Sequence, residues 1–365
     1  MRYSIISYEI MSLWILIILF FGSQSTLYSQ DRISLNGQWE LKLDLDDEGL
    51  ERKWYGDALD EDYNIAFKKL AKTYFGVPSG IDTLKVITYN IWNGFDWGKD
   101  EKRRQRVQEW MRSQSPSITA LQELNNYTPA KLKIDAESWG HNYSVLLKTT
   151  GYSVGLTSEF PIQEKEKITE RLHHGALHVK TAGIDFLVLH LHPGSIKRRR
   201  EEADKLLVKL EEIKKENPQY MVLGDFNAHS PYDAHLYDPD GYLLNHRRKN
   251  NAGKGMDGNI YMNDLDYSVM TSFLAFPLYD AIQKNTTGMS ERGTFPGRVL
   301  GPANNESMEQ LISRLERIDY ILVSPALKEK CVDAKVHNGK DNWFLSDHYP
   351  VEATFNLIGS PSIED

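Results

Sequence analysis

The apolar residues of this chain fall into short runs and two helical stripes, and the runs end in a restricted set of polar residues. The runs are Leu84-Lys-Val-Ile-Thr-Tyr89, Ile118-Thr-Ala-Leu121, Asp185-Phe-Leu-Val-Leu-His-Leu191, Tyr220-Met-Val-Leu223, Arg317-Ile-Asp-Tyr-Ile-Leu-Val323 and Val351-Glu-Ala-Thr-Phe355. Each is short and most are rich in β-branched and aromatic residues, so each predicts a buried strand. Ala203, Leu206, Leu207, Leu210 and Ile213 recur at helical spacing and predict a helix over 197–215. Val107, Trp110 and Met111 do the same for 99–113. Strands alternating with helices predict an α/β body from Thr83 to Leu357. The polar stretch from Tyr232 to Asn263 is expected as a long loop, functional or mobile.

The amino terminus has a different pattern. Leu13 to Phe21 is a continuous apolar run, with Arg2 before it and the small, polar stretch Gly22 to Gln30 after it. A basic start, a short apolar core and a polar end predict an export signal over 1–30, and hence a secreted or periplasmic protein. In 31–80, Trp39, Leu41 and Leu43 alternate like a strand, an acidic turn follows at Asp44-Leu-Asp-Asp-Glu48, and Gly76-Val-Pro-Ser-Gly80 reads as a linker. The organisation expected is therefore 1–30 signal, 31–80 extension and linker, 81–358 main domain and 359–365 tail.

Composition narrows the class. The 365 residues are 41% hydrophobic and 26% charged, which fits a globular protein. The lone Cys331 allows neither an internal disulfide nor a cysteine-based zinc site. The net charge of −8 argues against a broad polyanion-binding face. There is no His-Glu-x-x-His for a zinc protease.

The chemistry lies where the strands end. Asn90 follows the first run, Gln122-Glu123 the second, and His190 and His192 close the third. Gly224-Asp-Phe-Asn-Ala-His229 follows the fourth, Asp319 interrupts the fifth, and Ser346-Asp-His-Tyr-Pro350 precedes the last. Ligand sites of sheet proteins with helical crossovers gather at such ends. Four carboxylates converging there (Glu123, Asp225, Asp319, Asp347) would repel one another unless a hard cation joined them, and Mg²⁺ takes such oxygens. Each piece alone also has a structural reading: Asp225 as a helix cap, Glu123 as a surface residue, the histidines as core or cap.

Taken together and in order, these segments resemble the endonuclease/exonuclease/phosphatase superfamily over about 83–357: Thr88-Tyr-Asn-Ile-Trp92, Leu121-Gln-Glu123, Leu189-His-Leu191, Gly224-Asp-Phe-Asn227, Arg317-Ile-Asp-Tyr-Ile321 and Ser346-Asp-His-Tyr-Pro-Val351. The resemblance implies a four-layer α/β sandwich, two mixed β-sheets flanked by helices. It also implies a Mg²⁺-dependent hydrolase, with Mn²⁺ as a substitute, acting on a phosphodiester or phosphomonoester by in-line attack of water. By resemblance, Asn90, Glu123 and Asp347 belong to the metal site. His348 acts on the water or the phosphate and Asp319 orients it. Asp225 positions or deprotonates the water, Asn227 donates to the phosphoryl oxygen, and His190 is a second phosphate contact or acid. Whether Asp225 or His348 is the base stays open.

The third motif departs from the family's usual Thr-His-Leu, reading Leu189-His-Leu-His-Pro193, so His192, His229 and His235 are further candidates, as are Arg171, His173 and His174. Substrates in view are nucleic acid, a phospholipid headgroup or a small phosphate ester, with no stable protein partner and a monomer expected. The basic runs Lys197-Arg-Arg-Arg200 and Arg247-Arg-Lys249 would serve a nuclease, and an apolar loop at Phe273-Leu-Ala-Phe-Pro277 a lipid substrate, though a solvated face and a core segment are their plainer readings. Residues 31–55 resemble the opening strand and turn of the jelly-roll sugar-binding domain of family 2 glycoside hydrolases. The competing reading is a catalytically silent or carbohydrate-associated binding protein on the same fold.

Overall fold

A computed structural model of the chain describes residues 81–357 except 252–256, with two short strand pairs nearer the amino terminus (Arg2–Ser4 with Glu40–Lys42, Met11–Ser12 with Ser34–Leu35). Most of the export segment and of the 31–80 extension, and the tail, lie outside the described residues.

The main body runs β1 Thr83–Asn90, α1 Glu101–Gln114, β2 Ile118–Gln122, α2 Pro129–Ser138, β3 Tyr143–Leu146, β4 Gly155–Ser158, β5 Ile162–Ile168, β6 Ala176–Thr181, β7 Ile184–His190, α3 Ile196–Glu216, β8 Tyr220–Asp225, α4 Tyr242–Asn251, α5 Ser268–Ala275, β9 Tyr279–Asp280, β10 Asp319–Val323, β11 Cys331–Val336 and β12 Val351–Asn356. Two six-stranded mixed sheets form, ordered β11-β12-β1-β2-β4-β3 and β9-β10-β8-β7-β6-β5. Each has one parallel pair, β1 with β2 across α1 and β7 with β8 across α3, and is otherwise antiparallel.

Strand alternation explains the four layers. Side chains along a strand point to opposite faces, so a strand buried on both faces reads as a continuous apolar run. In β1, Leu84 and Val86 enter one core while Ile87 and Tyr89 enter another. In β7, Phe186 and Val188 separate in the same way from Leu187 and Leu189; in β8, Met221 and Leu223 separate from Tyr220 and Val222; in β10, Ile321 and Val323 separate from Tyr320 and Leu322. The first member of each split builds a core between the two sheets. The second packs against helices. Val107, Trp110 and Met111 of α1 cover the first sheet with α2, and Ala203, Leu206 and Leu210 of α3 cover the second with Val269, Met270 and Phe273 of α5. The expected four-layer sandwich is the observed fold.

Six strands carry no strong sequence signal. β3, β4 and β9 are only two to four residues long, and β6, β11 and especially β5 (Ile162-Gln-Glu-Lys-Glu-Lys-Ile168) mix charge with apolar residues. β5 is an edge, where outward charges discourage pairing with another chain. The Tyr232–Asn263 stretch, expected as one long loop, carries short elements of its own. It holds the turn Pro231–Leu236 and α4 before residues 252–256, and the two-residue strand Ile260–Tyr261 after them, paired with Asp264–Leu265.

One core residue makes a sharp test of the packing. His141 is fully buried, its Nε2 2.6 Å from the Pro116 carbonyl and its Nδ1 2.7 Å from the Thr157 hydroxyl. The carbonyl can only accept, so the proton sits on Nε2 of a neutral ring. Burial lowers its pKa from 6.5 to about 4. As pH falls through 6.5 the unfolded chain takes the proton first, so stability drops between pH 6.5 and about 4. Chemical denaturation of His141→Gln should show a loss between about pH 7 and about pH 5 that is about 2 kcal/mol smaller than in the unmodified protein.

Candidate active site

The site stands at one end of the core between the sheets, because four strands end in polar residues on their inward-facing positions. Leu84 and Val86 are followed at the same spacing by Thr88 and Asn90. Phe186 and Val188 are followed by His190, and Met221 and Leu223 by Asp225, while Ile321 and Val323 are preceded by Asp319. Register aligns the ends: His190 lies opposite Asp225, and Asp225 opposite Asp319. Glu123 follows β2, and Asp347 and His348 precede β12. Gly224 is needed because its φ is +140° and a Cβ there would lie 2.0 Å from the Leu189 carbonyl oxygen.

One network connects these residues. Asn90 donates through Nδ2 to Glu123 Oε1 (3.3 Å) and Asp225 Oδ2 (3.1 Å), joining the two sheets. Asp225 accepts at Oδ1 from the Asn227 backbone N–H (2.9 Å), and its Oδ2 is 3.3 Å from His190 Nε2 and 3.8 Å from His348 Nε2. His348 Nδ1 lies 2.9 Å from Asp319 Oδ2. Ser346 Oγ donates to the Asn90 carbonyl (2.7 Å) and lies 3.3 Å from Asp347 Oδ1. Asn227 turns its side chain to the Leu191 carbonyl (3.1 Å) and so holds the β7 end.

The two histidines are poised oppositely. Burial disfavours a charged His348, but Asp319, Asp225 and Asp347 outweigh it and push its pKa well up. Burial, with the neighbouring His174 and His348, drives His190 well down. Asp225 is raised by burial and by Asp319, with His348 opposing. Asp347 is raised by burial and by Glu123, again against His348.

The donor set fits a hard divalent cation. Glu123 and Asp347 repel each other, and among the described residues neither forms a salt bridge with lysine or arginine. Both keep part of their surface exposed, and their oxygens with that of Asn90 suit Mg²⁺. A second set, Asp225, Asp319 and His348, brings donor atoms within 4.8 Å of one another. There His348 already stands between the carboxylates, Nδ1 2.9 Å from Asp319 and Nε2 3.8 Å from Asp225, and the trio is a second place where a cation could be held.

Two supporting features escape a reading by strand ends. Residues 92–97 wind left-handed, with φ from 51° to 61°, at a cost of about 1–2 kcal/mol for each residue that is not glycine. This coil fixes the metal-side residues: Trp92 N–H donates to Asn90 Oδ1 (3.0 Å) and Asn93 N–H to Glu123 Oε2 (2.6 Å). The buried Arg103 braces it. Its guanidinium donates to the carbonyls of Ile91 (2.7 Å), Trp92 (2.8 Å) and Leu345 (3.1 Å), tying the coil to the segment before Asp347 and His348. Helical spacing could have found it, since Arg103 shares the buried face of α1 with Val107, Trp110 and Met111.

Other candidates fall elsewhere. His229 is buried against Glu316 (2.6 Å), which also binds Arg247, so both belong to a structural ion network. His235 and Arg171 are exposed. Arg199 is buried beside Asp257 and Asn259 and Arg200 pairs with Asp266, so only Lys197 and Arg198 of that run form a solvated face. Arg248 donates to the carbonyls of Asn263 and Pro239. Phe273 is core, as its plainer reading held.

Comparisons with known proteins agree with this architecture. The model of the endonuclease/exonuclease/phosphatase family matches residues 87–348. Similar solved structures include an AP endonuclease from Archaeoglobus fulgidus (20% identity, TM-score 0.53, 75% of this chain and 100% of that one) and a 3′-5′ exonuclease from Neisseria meningitidis with the same figures. A Neisseria 3′ phosphatase bound to a product DNA hairpin is similar at 19% identity and a TM-score of 0.52, over 74% of this chain and 99% of that one. No curated protein matches the sequence. The chain belongs to the endonuclease/exonuclease/phosphatase family, whose members are hydrolases of phosphoric ester bonds.

Two substitutions test the geometry. Asp319→Asn keeps the shape but removes the charge behind His348, and phosphoesterase turnover should fall on the order of 10²–10⁴-fold with folding intact by circular dichroism. Arg103→Ala frees three carbonyls and should cost about 10²-fold in activity, with Arg103→Lys recovering part of it.

Proposed function

We propose that the chain is an exported, Mg²⁺-dependent phosphoesterase that hydrolyses a phosphate ester by in-line attack of water, with nucleic acid as the favoured substrate. The observation that carries it is the single network joining Asn90, Glu123, His190, Asp225, Asn227, Asp319, Asp347 and His348 across both sheets. Nucleic acid is favoured because the three structural relatives are named for nuclease or DNA 3′-phosphatase activity. In addition, the apolar segment that a lipid substrate would use is built around the buried Phe273. Mg²⁺, with Mn²⁺ as a substitute, rests on the family resemblance, and export rests on the sequence of residues 1–30.

When bound at Glu123, Asp347 and Asn90, the cation would neutralise phosphate charge and polarise the phosphorus centre. The chain's own residues do the rest. Asp225, held by Asn90 and the Asn227 N–H, presents Oδ2 as acceptor for the proton of the attacking water. His348, surrounded by three carboxylates, favours the imidazolium form, so it donates to a phosphoryl oxygen as negative charge develops. Asp319 accepts from Nδ1 and fixes the orientation of the ring. His190, neutral and in contact with the same Asp225 oxygen, orients that carboxylate and contacts the phosphate. The catalytically silent alternative predicts binding without turnover.

The purified 31–365 protein should hydrolyse DNA, RNA or an artificial diester in Mg²⁺ and stop in chelator. Glu123→Ala and His348→Ala should each lower turnover by about 10³-fold or more. A folded, metal-loaded protein that turns over none of these, nor an artificial monoester, sphingomyelin or an inositol polyphosphate, would overturn the enzymatic reading. Export is tested separately, by the cellular fraction in which the full-length chain accumulates.

A further inference from the structure

The apolar stripe of α3 turns polar at the end nearest the site. Ala203, Leu206, Leu210 and Ile213 pack into the core, and the first turns of the same face carry Arg199 and Glu202, only 1% and 3% exposed. A basic run followed by two acids would ordinarily lie in solvent, and these two members of it do not. Charges buried in this way are costly unless each finds partners.

The partners are backbone groups of the two segments that carry the site's histidines. Glu202 accepts through Oε1 from the His173 N–H (2.6 Å) and through Oε2 from the His192 N–H (2.8 Å). Arg199 donates to the His192 carbonyl (2.7 Å) and to the Asn259 side chain, and lies 3.6 Å from Asp257. Both backbone groups of His192 are therefore held by α3. Leu191, the residue before it, is held from the other side. Its N–H donates to the Asp225 carbonyl (2.9 Å), and its own carbonyl accepts from Asn227 (3.1 Å). The ladder between β6 and β7 stops at the pair Ala176 and Leu189, and beyond it the strands have no hydrogen bonds of their own to keep them together. A carboxylate suits this place, because its two oxygens can take one N–H from each segment.

The rings follow the backbone. His190 stacks on His174 with centroids 4.1 Å apart, His174 meets His173 at 4.3 Å, and His173 meets His192 at 4.3 Å. Glu202 thus fixes both the turn that backs His190 and the segment that follows it. With the stack in place, His190 Nε2 lies 3.3 Å from Asp225 Oδ2. His190 Nδ1 makes no hydrogen bond, so the ring is placed by Asp225 at one edge and by His174 packed on its face.

We propose that Arg199 and Glu202 are positioning residues of the phosphoesterase site: from α3 they lock the turn carrying His173 and His174 against the end of β7, and so seat His190 on Asp225. The effect on turnover rests on the hydrolase reading, whereas the lock itself does not.

Two measurements on the full chain test this. The first labels histidines with diethyl pyrocarbonate and reads each one by mass spectrometry. Glu202→Ala strands two buried N–H groups, so labelling of His174 and His190 should rise about tenfold while the remote, buried His141 stays as slow as in the parent. Glu202→Gln keeps one acceptor oxygen and should fall between, which also covers the case in which Glu202→Ala misfolds. The second is a double-mutant cycle in turnover. Glu202→Ala should lower kcat about 10²-fold in the parent and leave His190→Ala almost unchanged, because a residue acting through His190 has nothing to act on once that ring is gone. The proposal is overturned if His174 and His190 label as in the parent in folded variants, if His141 rises in step with them, or if the two substitutions multiply in the cycle. A parent without turnover would defeat the hydrolase reading, and the labelling would still decide the lock.

Discussion

Burying charge at the end of an apolar core is the constraint on which this structure turns. The inward columns of β1, β7, β8 and β10 are apolar until their last positions, and there they become Asn90, His190, Asp225 and Asp319. All four are at most 4% exposed. An ionised carboxylate cannot stay buried without partners, and removing one member of such a set is far more damaging than its net contribution suggests. Two facing sheets solve this by letting one strand's end satisfy another's. Asn90 from the first sheet donates to Asp225 of the second, and Asp319 holds His348 from the segment entering the first. The fold and the site are therefore not separable, because the hydrogen bonds that order the chemistry also close the core.

The remaining cost is carried by strained backbone and a buried cation. Glu123 and Asn227 both have positive φ, at 60° and 49°, and the coil over 92–97 is left-handed throughout. Such conformations persist only when the surroundings over-determine them. Here the surroundings are specific. Gly94 packs so closely that a Cβ would sit 2.2 Å from the Asn125 carbonyl oxygen, and Arg103 fills the carbonyls that the coil leaves unpaired. By also reaching Leu345, that one side chain sets Asn90 and Glu123 against the segment carrying Asp347 and His348.

This division explains what the sequence makes legible. Strands buried on both faces announce themselves as mostly apolar runs, and the polar residues that close them stand out against that background. The fold is readable for that reason, and so is the placing of polar candidates such as Asn90, His190, Asp225 and Asp319 at one end of it. The edge strand β5 is not, since its charges follow from its exposure and hide its conformation. The left-handed coil is invisible because Trp92, Asn93, Phe95, Asp96 and Trp97 favour right-handed backbone, and tertiary contacts override that preference. Arg103 reads as one more charge in a basic helix until its spacing from Val107 is counted. His192, one of the further candidates, finds its neighbours only when the turn carrying His173 and His174 folds back beside β7.

The two histidines that meet at Asp225 show how one carboxylate can serve opposite neighbours. His348 has a carboxylate at its far nitrogen, whereas His190 has an imidazole stacked on its ring and nothing at Nδ1. The first arrangement stabilises a positive charge and the second forbids it. Asp225 thus lies between a cationic donor and a neutral ring, which polarises the site along the line from β7 to β12. An in-line displacement needs such a direction, with charge stabilised on one side of phosphorus and a proton accepted on the other. The asymmetry comes from what stands behind each imidazole rather than from the imidazoles themselves, and it is set by Asp319 on one strand and by His174 at the start of another.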